Sequence, residues 1–365
     1  MVLTHRTHKA ISQWLPNEII TEIVQAAPRS DQASLCRVSQ LFHDLILPIL
    51  YRVVDLEAGA SVADFGGTVL SNAALAGLVR SYSVNLPRAG MSIAVKSLSS
   101  ILVDSSKTFV RLEALSINFL LLTDTDIETL LCWTFPHLVR CSLGTASRHW
   151  SDTEQQYTLA SFLIRHPRLE SLHIQAFPYA LERSSVSVRI PLLRLQQLRC
   201  SSRIIPSIVS PRIKRVKIYW NGGVDDVDTI FVALKAMIPS DIPFICSNDD
   251  YDENLSAVVN SLSRNLPHTR TLELCQYEFP PLNEVIGYLK NFLPRFTGLA
   301  FLSVQYMSAW VPASTRKEEE EIDVLSDACP TLKACRLHQR AWRKVDGMWE
   351  AYPLTDFDAL AGLKS

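Results

Sequence analysis

The sequence predicts an α/β chain: a helical N-terminal module, residues 1–56, followed by a curved solenoid of strand–helix units with a parallel sheet, residues 57–365. Three observations carry this expectation. Apolar residues between positions 15 and 50 recur at helical spacing. From residue 78 onward one phrase returns, apolar-x-x-apolar-x-apolar, usually introduced by proline, with helical patterns between the copies. The chain holds only 12 glycines, and no G-x-x-x-x-G-K or G-x-G-x-x-G run that would bring backbone N–H groups to a phosphate.

The module is justified element by element. Pro16 suits the first turn of a helix, where its missing N–H is not needed. Ile19, Ile20, Ile23, Val24 and Ala27 then form one helical stripe, and Pro28 ends it. Ser30 or Asp31 can cap a second helix, whose stripe is Leu35, Val38, Leu41, Phe42 and Leu45 and which Pro48 closes. Val53-Val54-Asp55-Leu56 reads as a short strand leading out. So small a unit lacks the material for an independent core. It is either a helical hairpin packed on the following domain or a docking module with apolar residues left for another chain.

The run from Leu15 to Leu56 resembles the F-box of fungal F-box proteins. Leu15, Pro16, Glu18, Ile19, Ile20, Ile23, Leu35, Val38, Ser39, Phe42 and Leu50-Tyr51-Arg52 carry the likeness. Phe42 stands where the family often has tryptophan, keeping an aromatic. The likeness implies that Leu15, Pro16, Ile19, Ile20, Ile23, Leu35, Val38, Leu41 and Phe42 bind a Skp-type adaptor. Through it they would reach the cullin scaffold of an SCF-type ubiquitin ligase.

The chain is 47% hydrophobic and 20% charged, a composition that folds rather than stays disordered. A net charge of −1 offers no global attraction to nucleic acid or an anionic membrane. No secretory core opens the sequence and no apolar run is long enough to span a bilayer. None of the eight cysteines forms a C-x-x-C pair. Together these point to reduced thiols and a cytoplasmic or nuclear protein.

Clear copies of the repeated phrase begin at Leu112, Leu138, Leu169, Ile213, Thr269 and Leu332, with weaker ones at Leu195 and Leu299. Val79-x-x-Tyr82-x-Val84 reads as the opening copy, and a degenerate unit fits around Ile242 to Cys246. In each copy the last two apolar positions alternate with a polar one, which is strand periodicity. Helical patterns fall at 126–133, 159–164, 230–238, 255–266 and 284–293. Neighbouring copies step by about thirty residues, slightly long for a leucine-rich repeat. One unit cannot cover its own apolar faces, whereas stacked neighbours can. Where a standard leucine-rich repeat places Asn or Cys, this chain has Leu120, Ala146, Phe177, Tyr277 and Arg340, so the repeats are expected to be irregular. A doubly wound α/β domain is the alternative, since it too alternates strands and helices. The last copy, Ala328 to Leu337 followed by Trp342, also looks like the terminal segment of many fungal F-box proteins.

No catalytic constellation stands out: there is no H-E-x-x-H, no Cys/His quartet and no G-x-S-x-G elbow. No cofactor, metal site or catalytic residue is expected. Gly222-Gly223, His137, His166 and His268 read as turn residues, Asp249-Asp250-Tyr251-Asp252-Glu253 as a polar loop, and Glu318 to Glu321 as a solvated helix start or loop. The densest basic cluster is Arg212, Lys214, Arg215 and Lys217. Strand alternation turns Ser142, Gln175, Ser201 and Glu273 to solvent, together with the candidate target-binding residues His173, Arg199, Lys217, Tyr219, Arg336 and His338. Such a face suits an extended or phosphorylated target segment; a mixed soluble surface is the alternative. The resulting expectation is a non-enzymatic substrate receptor that holds an unidentified target protein. A repeat scaffold unrelated to ubiquitin and, more remotely, an α/β hydrolase or transferase are the competing classes.

Overall fold

The structure, a computed structural model, describes residues 15–85, 109–118, 124–145, 153–176, 188–220, 226–239, 244–250, 255–276, 282–306 and 315–363. It is a mixed α/β protein with a large, mostly parallel sheet. The chain divides into two compact units, Met1–Leu138 and Val139–Ser365.

The first unit opens with three helices, α1 (Asn17–Ala26), α2 (Arg29–Leu35) and α3 (Gln40–Leu50). Pro16 and Pro28 sit at the N-caps of α1 and α2. The expected cap from Ser30 or Asp31 is therefore not made; Pro28 starts α2 without a side-chain bond. The expected single second helix is broken in two. Ser39 is extended and its hydroxyl accepts from the Phe42 N–H, which starts a new helix there. Pro48 lies inside α3 rather than closing it. Gln32, buried, donates from Nε2 to the carbonyls of Val24 and Ala27 at 2.9 Å each, satisfying the end of α1. After these helices come β1 (Val53–Leu56), α4 (Gly59–Ser71), α5 (Ala73–Ala76), β2 (Ser81–Val84), β3 (Ala114–Asn118) and α6 (Asp124–Leu131). The three strands are parallel, with Val54 opposite Tyr82 and Tyr82 opposite Leu115.

The second unit contains β4 (Arg140–Thr145), α7 (Thr153–Ile164), β5 (Ser171–Ala176), β6 (Ile190–Pro191), β7 (Gln197–Ser201), β8 (Ile208–Val209) and β9 (Arg215–Trp220). It continues through α8 (Val227–Met237), β10 (Phe244–Asp250), α9 (Leu255–Asn265), β11 (Thr269–Gln276) and α10 (Leu282–Phe292). It ends with β12 (Phe301–Tyr306), α11 (Thr315–Ala328), β13 (Ala334–Leu337), β14 (Arg340–Val345), β15 (Met348–Tyr352) and α12 (Leu354–Leu360). Strands β4-β5-β7-β9-β10-β11-β12-β13 pair in parallel in that order, and β14 and β15 add antiparallel. A doubly wound sheet reverses strand addition at a switch point. Here every parallel strand joins the same edge as its predecessor, so that alternative does not describe this unit.

The repeated phrase is what aligns the sheet. Cys141, Leu172, Leu198, Val216, Cys246, Leu272, Leu302 and Cys335 stand opposite one another in a single row. All are buried, and so are the leading positions Leu169, Leu195, Ile213, Thr269, Leu299 and Leu332. A one-residue slip would turn this whole row to the other face, so the register is strongly specified. Helices α8, α9, α10 and α11 pack against one another in chain order. Between β7 and β9 a 3-10 helix (Ser202–Ser207) stands in place of an α-helix.

Two polar segments differ from expectation. Asp249 and Asp250 end strand β10 instead of lying in a loop, while 251–253 fall outside the described residues. Glu318 and Glu321 do lie on a helix, α11, but are buried at 3% and 9% exposure rather than solvated. Their spacing puts them on the inner face with Ile322 and Leu325. Burial raises the Glu318 carboxyl pKa, and Arg340, 3.6 Å away, opposes that shift. Gly222-Gly223 and the ladder positions Leu120, Ala146, Phe177 and Tyr277 lie outside the described residues, and Arg340 opens β14.

Candidate functional site

Two surfaces gather the residues singled out by sequence. The first is on the N-terminal helices. Their core is small: Ile20, Val24 and Ile46 are buried, and Leu35, Cys36, Leu41, Phe42 and Leu45 pack half-buried around them. The helical stripe therefore splits. Ile20 and Val24, four residues apart, point inward, while Ile19 and Ile23, also four apart, point out at 40% and 58% exposure. Leu15 and Val38 are exposed too, at 39% and 57%, and Pro16 is exposed. Ile20 is thereby corrected from a candidate docking residue to a core residue. Leu35, Leu41 and Phe42 keep part of their surface but hold the fold as well.

The second surface is the sheet face opposite the buried row, in the second unit. Across it, in register, run Ser142, His173, Arg199, Lys217, Ser247, Glu273, Ser303 and Arg336. His173 lies at the centre of a polar cluster. Its Nδ1 is 3.1 Å from the Ser142 hydroxyl and its Nε2 is 3.1 Å from the Tyr219 hydroxyl. A neutral imidazole donates through one nitrogen and accepts through the other, and two hydroxyls can serve either tautomer. Burial lowers the His173 pKa to about 4, and the nearby Arg199 and Lys217 cations push it the same way. The Tyr219 ring stacks beside His173 with centroids 6.0 Å apart, and the Lys217 ammonium stands 5.7 Å from the same ring. Arg199 and Lys217 are direct cross-strand neighbours. Arg215, two residues before Lys217 on the same face, has its pKa lowered by burial and by Arg199, with Glu273 acting in the other direction.

The right-hand part of this face is occupied by the chain's own C-terminus. Phe357 of α12 is fully buried, edge-on to Phe301 and Tyr352. Beyond α12 the Thr271 hydroxyl donates to the Ala361 carbonyl at 2.9 Å, and Arg215 Nη2 donates to the Leu363 carbonyl at 2.5 Å. Gly362, between them at φ +72°, lies so close to β10 that a Cβ there would come within 2.8 Å of Ile245 Cδ1.

Several expected binding residues change role accordingly. Arg336 does not face an open platform: its Nε donates to the His338 carbonyl at 3.1 Å and its Nη1 is 3.4 Å from Asp358 of α12. His338 sits at φ 54° in the tight turn between β13 and β14. Tyr219, 8% exposed, and Ser201, 0% exposed, are buried rather than solvent-facing. The side chain of Gln175 lies outside the described residues. His173, Arg199 and Lys217 remain together and half-buried. The sequence reading missed the C-terminal strap altogether; its local signal was the glycine at 362. It also missed the β14–β15 hairpin, which Asp346-Gly347, both at positive φ, announces as a two-residue turn.

His166 is buried, with Nδ1 2.7 Å from the Phe162 carbonyl. It is a core residue and not a turn surface. Among the described residues no helix is long and apolar enough to cross a membrane. No protein-family model matches this chain, and no curated protein matches its sequence.

Proposed function

We propose that this chain is a non-enzymatic substrate receptor of an SCF-type ubiquitin ligase. The N-terminal helices dock a Skp-type adaptor, and through it the cullin scaffold. The strand–helix region, read as an irregular, curved leucine-rich-repeat-like solenoid, holds a target protein. The ubiquitin-transferring chemistry belongs to other subunits, and this chain acts by raising the target's effective concentration near them.

The observation that carries the docking role is the outward set Leu15, Ile19, Ile23 and Val38 on a helical module whose buried apolar cluster is Ile20, Val24 and Ile46. A module so built has apolar area available to a partner. One-directional addition of parallel strands, with helices packed in chain order, supports the solenoid reading. The test is co-purification of the full chain with a Skp-type adaptor. Ile19→Asp with Ile23→Asp is expected to abolish capture while leaving the chain folded. Leu35 is a poor choice for this purpose, because it packs on the module's own core. Undiminished capture by the double variant would exclude this docking surface.

A further inference from the structure

We propose that a cavity between the ends of α8 and α9 and the first residues of β10 and β11 binds a small uncharged molecule, with a ring-sized apolar body and one hydroxyl-type group. The cavity lies wholly within the second unit, and its chemistry stands apart from the receptor reading.

The volume is about 450 Å³, within the range of about 300–1,000 Å³ that small-molecule sites occupy. Phe244, Leu266 and Thr269 line it and are buried. Ile238 and Pro239, just past α8, and Pro267, just past α9, are half-buried walls. These six side chains are apolar except for the Thr269 hydroxyl, which donates to the Leu266 carbonyl at 2.7 Å.

Protein interiors are close-packed, so a space of this size has a cause. Two departures from the repeat supply it. The phrase opens on Leu169, Leu195, Ile213, Leu299 and Leu332 in the other copies of this unit, all buried, but on the shorter, polar Thr269 here. In addition, Phe244 pairs with Thr269 while Ile245 pairs with Thr271, so Arg270 is an extra residue and the β10–β11 ladder carries a β-bulge. The short side chain and the bulge fall together at the edge of the cavity.

The polar lining selects against charge. Arg264 gives its guanidinium to both oxygens of Asp228, at 2.7 and 2.8 Å. Lys235 is exposed in the last turn of α8, where a cation complements the free carbonyls of the helix end. A charged ligand would give up hydration against the apolar walls without a buried ion to pair with. Two lining groups keep hydrogen-bonding capacity among the described residues. The Asn265 amide nitrogen donates to the Ser261 carbonyl and hydroxyl, which leaves Oδ1 as an acceptor. His268 Nδ1 is 2.9 Å from the Thr297 hydroxyl, which leaves Nε2. A ligand hydroxyl both donates and accepts, so it can meet either group.

The test titrates three probes of one size into the full-length protein, followed by calorimetry and ligand-observed NMR: 2-naphthol, 2-naphthoate and 2-naphthylmethylammonium. The neutral probe is expected to bind at least about tenfold more tightly than either ion, with an affinity that added salt leaves unchanged. Thr269→Leu restores the residue type that the other copies carry and fills the cavity. It should weaken 2-naphthol at least about tenfold while the melt stays the same or rises. Ile238→Trp fills the same space from a half-buried wall and should weaken binding equally, so it decides the matter if Thr269→Leu lowers the melt. Lys290→Gln, on α10 and outside the lining, should leave binding intact. No binding of 2-naphthol to the unmodified chain, undiminished binding by a folded filled variant, or tighter binding of either charged probe would overturn the proposal.

Discussion

Replacing Ile19 and Ile23 by aspartate separates docking from folding. Full burial of an isoleucine side chain contributes about 2.5 kcal/mol. With 40% and 58% of their surfaces still exposed, the two residues can add about 1 and about 1.5 kcal/mol on meeting a partner. Together that is close to two powers of ten in affinity, before any cost of burying the new carboxylates. Both side chains point away from the Ile20–Val24–Ile46 core, so the fold should change by no more than about 0.5 kcal/mol each. Ile20→Asp is the contrasting variant. At 7% exposure it would drive an unpaired carboxylate into the core and lower stability by several kcal/mol. The assay is capture of purified Skp-type adaptor on immobilised protein, read beside the thermal melt of each variant. The expected pattern is lost capture with an unchanged melt for Ile19→Asp/Ile23→Asp, and a lowered melt for Ile20→Asp. Full capture by the first variant would refute the docking role of the outer face, and an equal fall in both melts would refute the division of this helix into an inner and an outer face.

Phe357→Ala should cost about 3–5 kcal/mol, since its ring is fully buried against Phe301 and Tyr352, and guanidinium titration would measure it. Gly362→Ala should lower stability by about 1–2 kcal/mol, from a positive φ and from the 2.8 Å approach to Ile245; an unchanged melt would contradict the close passage of the tail over β10. His173 gives a pH dependence whose sign is fixed by its lowered pKa. The unfolded chain takes up the imidazole proton near pH 6.5 and the folded chain only near 4, so this contribution is complete above about 6.5 and is lost as pH falls toward 4. Arg199, Lys217, Tyr219 and Ser142 face the ring, and the two cations sharpen the effect. His173→Asn should flatten the stability profile between those values, and a profile as steep as that of the unmodified chain would remove His173 as its source.

The strands were legible because each is written by a local phrase. Leu169-x-x-Leu172-x-Ile174 specifies one buried edge, and its copies place their second apolar residues in one row across the sheet. The first helix was legible for the same reason, through its stripe and the flanking Pro16 and Pro28. The helical break at Ser39 was not read, because the apolar stripe continues through it and masks the cap. Burial of Glu318 and Glu321 was hidden by charge: four consecutive glutamates look solvated until the packed face of α11 is known. The least legible part was the strap. Arg215 meets a carbonyl 148 residues away, and no local pattern encodes a contact of that range. Arg336 and His338 were assigned to an open face because strand alternation says which side a residue takes, and not what covers that side.

That distinction decides which residues of this face lie beyond the strap. A repeat sheet built in one direction would expose its polar face along its length if nothing lay over it. Here α12 and residues 361–363 cross β13 to β9 on that face, anchored by Phe357, Thr271 and Arg215. The strap draws Arg336 into an intramolecular contact with Asp358 and leaves the His173, Arg199 and Lys217 group beyond its last described contact. On β5, β7 and β9 strand register fixes His173, its pKa lowered, beside the buried Tyr219 and the Arg199 and Lys217 cations, while Arg215 holds the strap. A substitution at 199 or 217 changes the charge beside His173 directly, whereas one at 215 also removes an anchor of the strap.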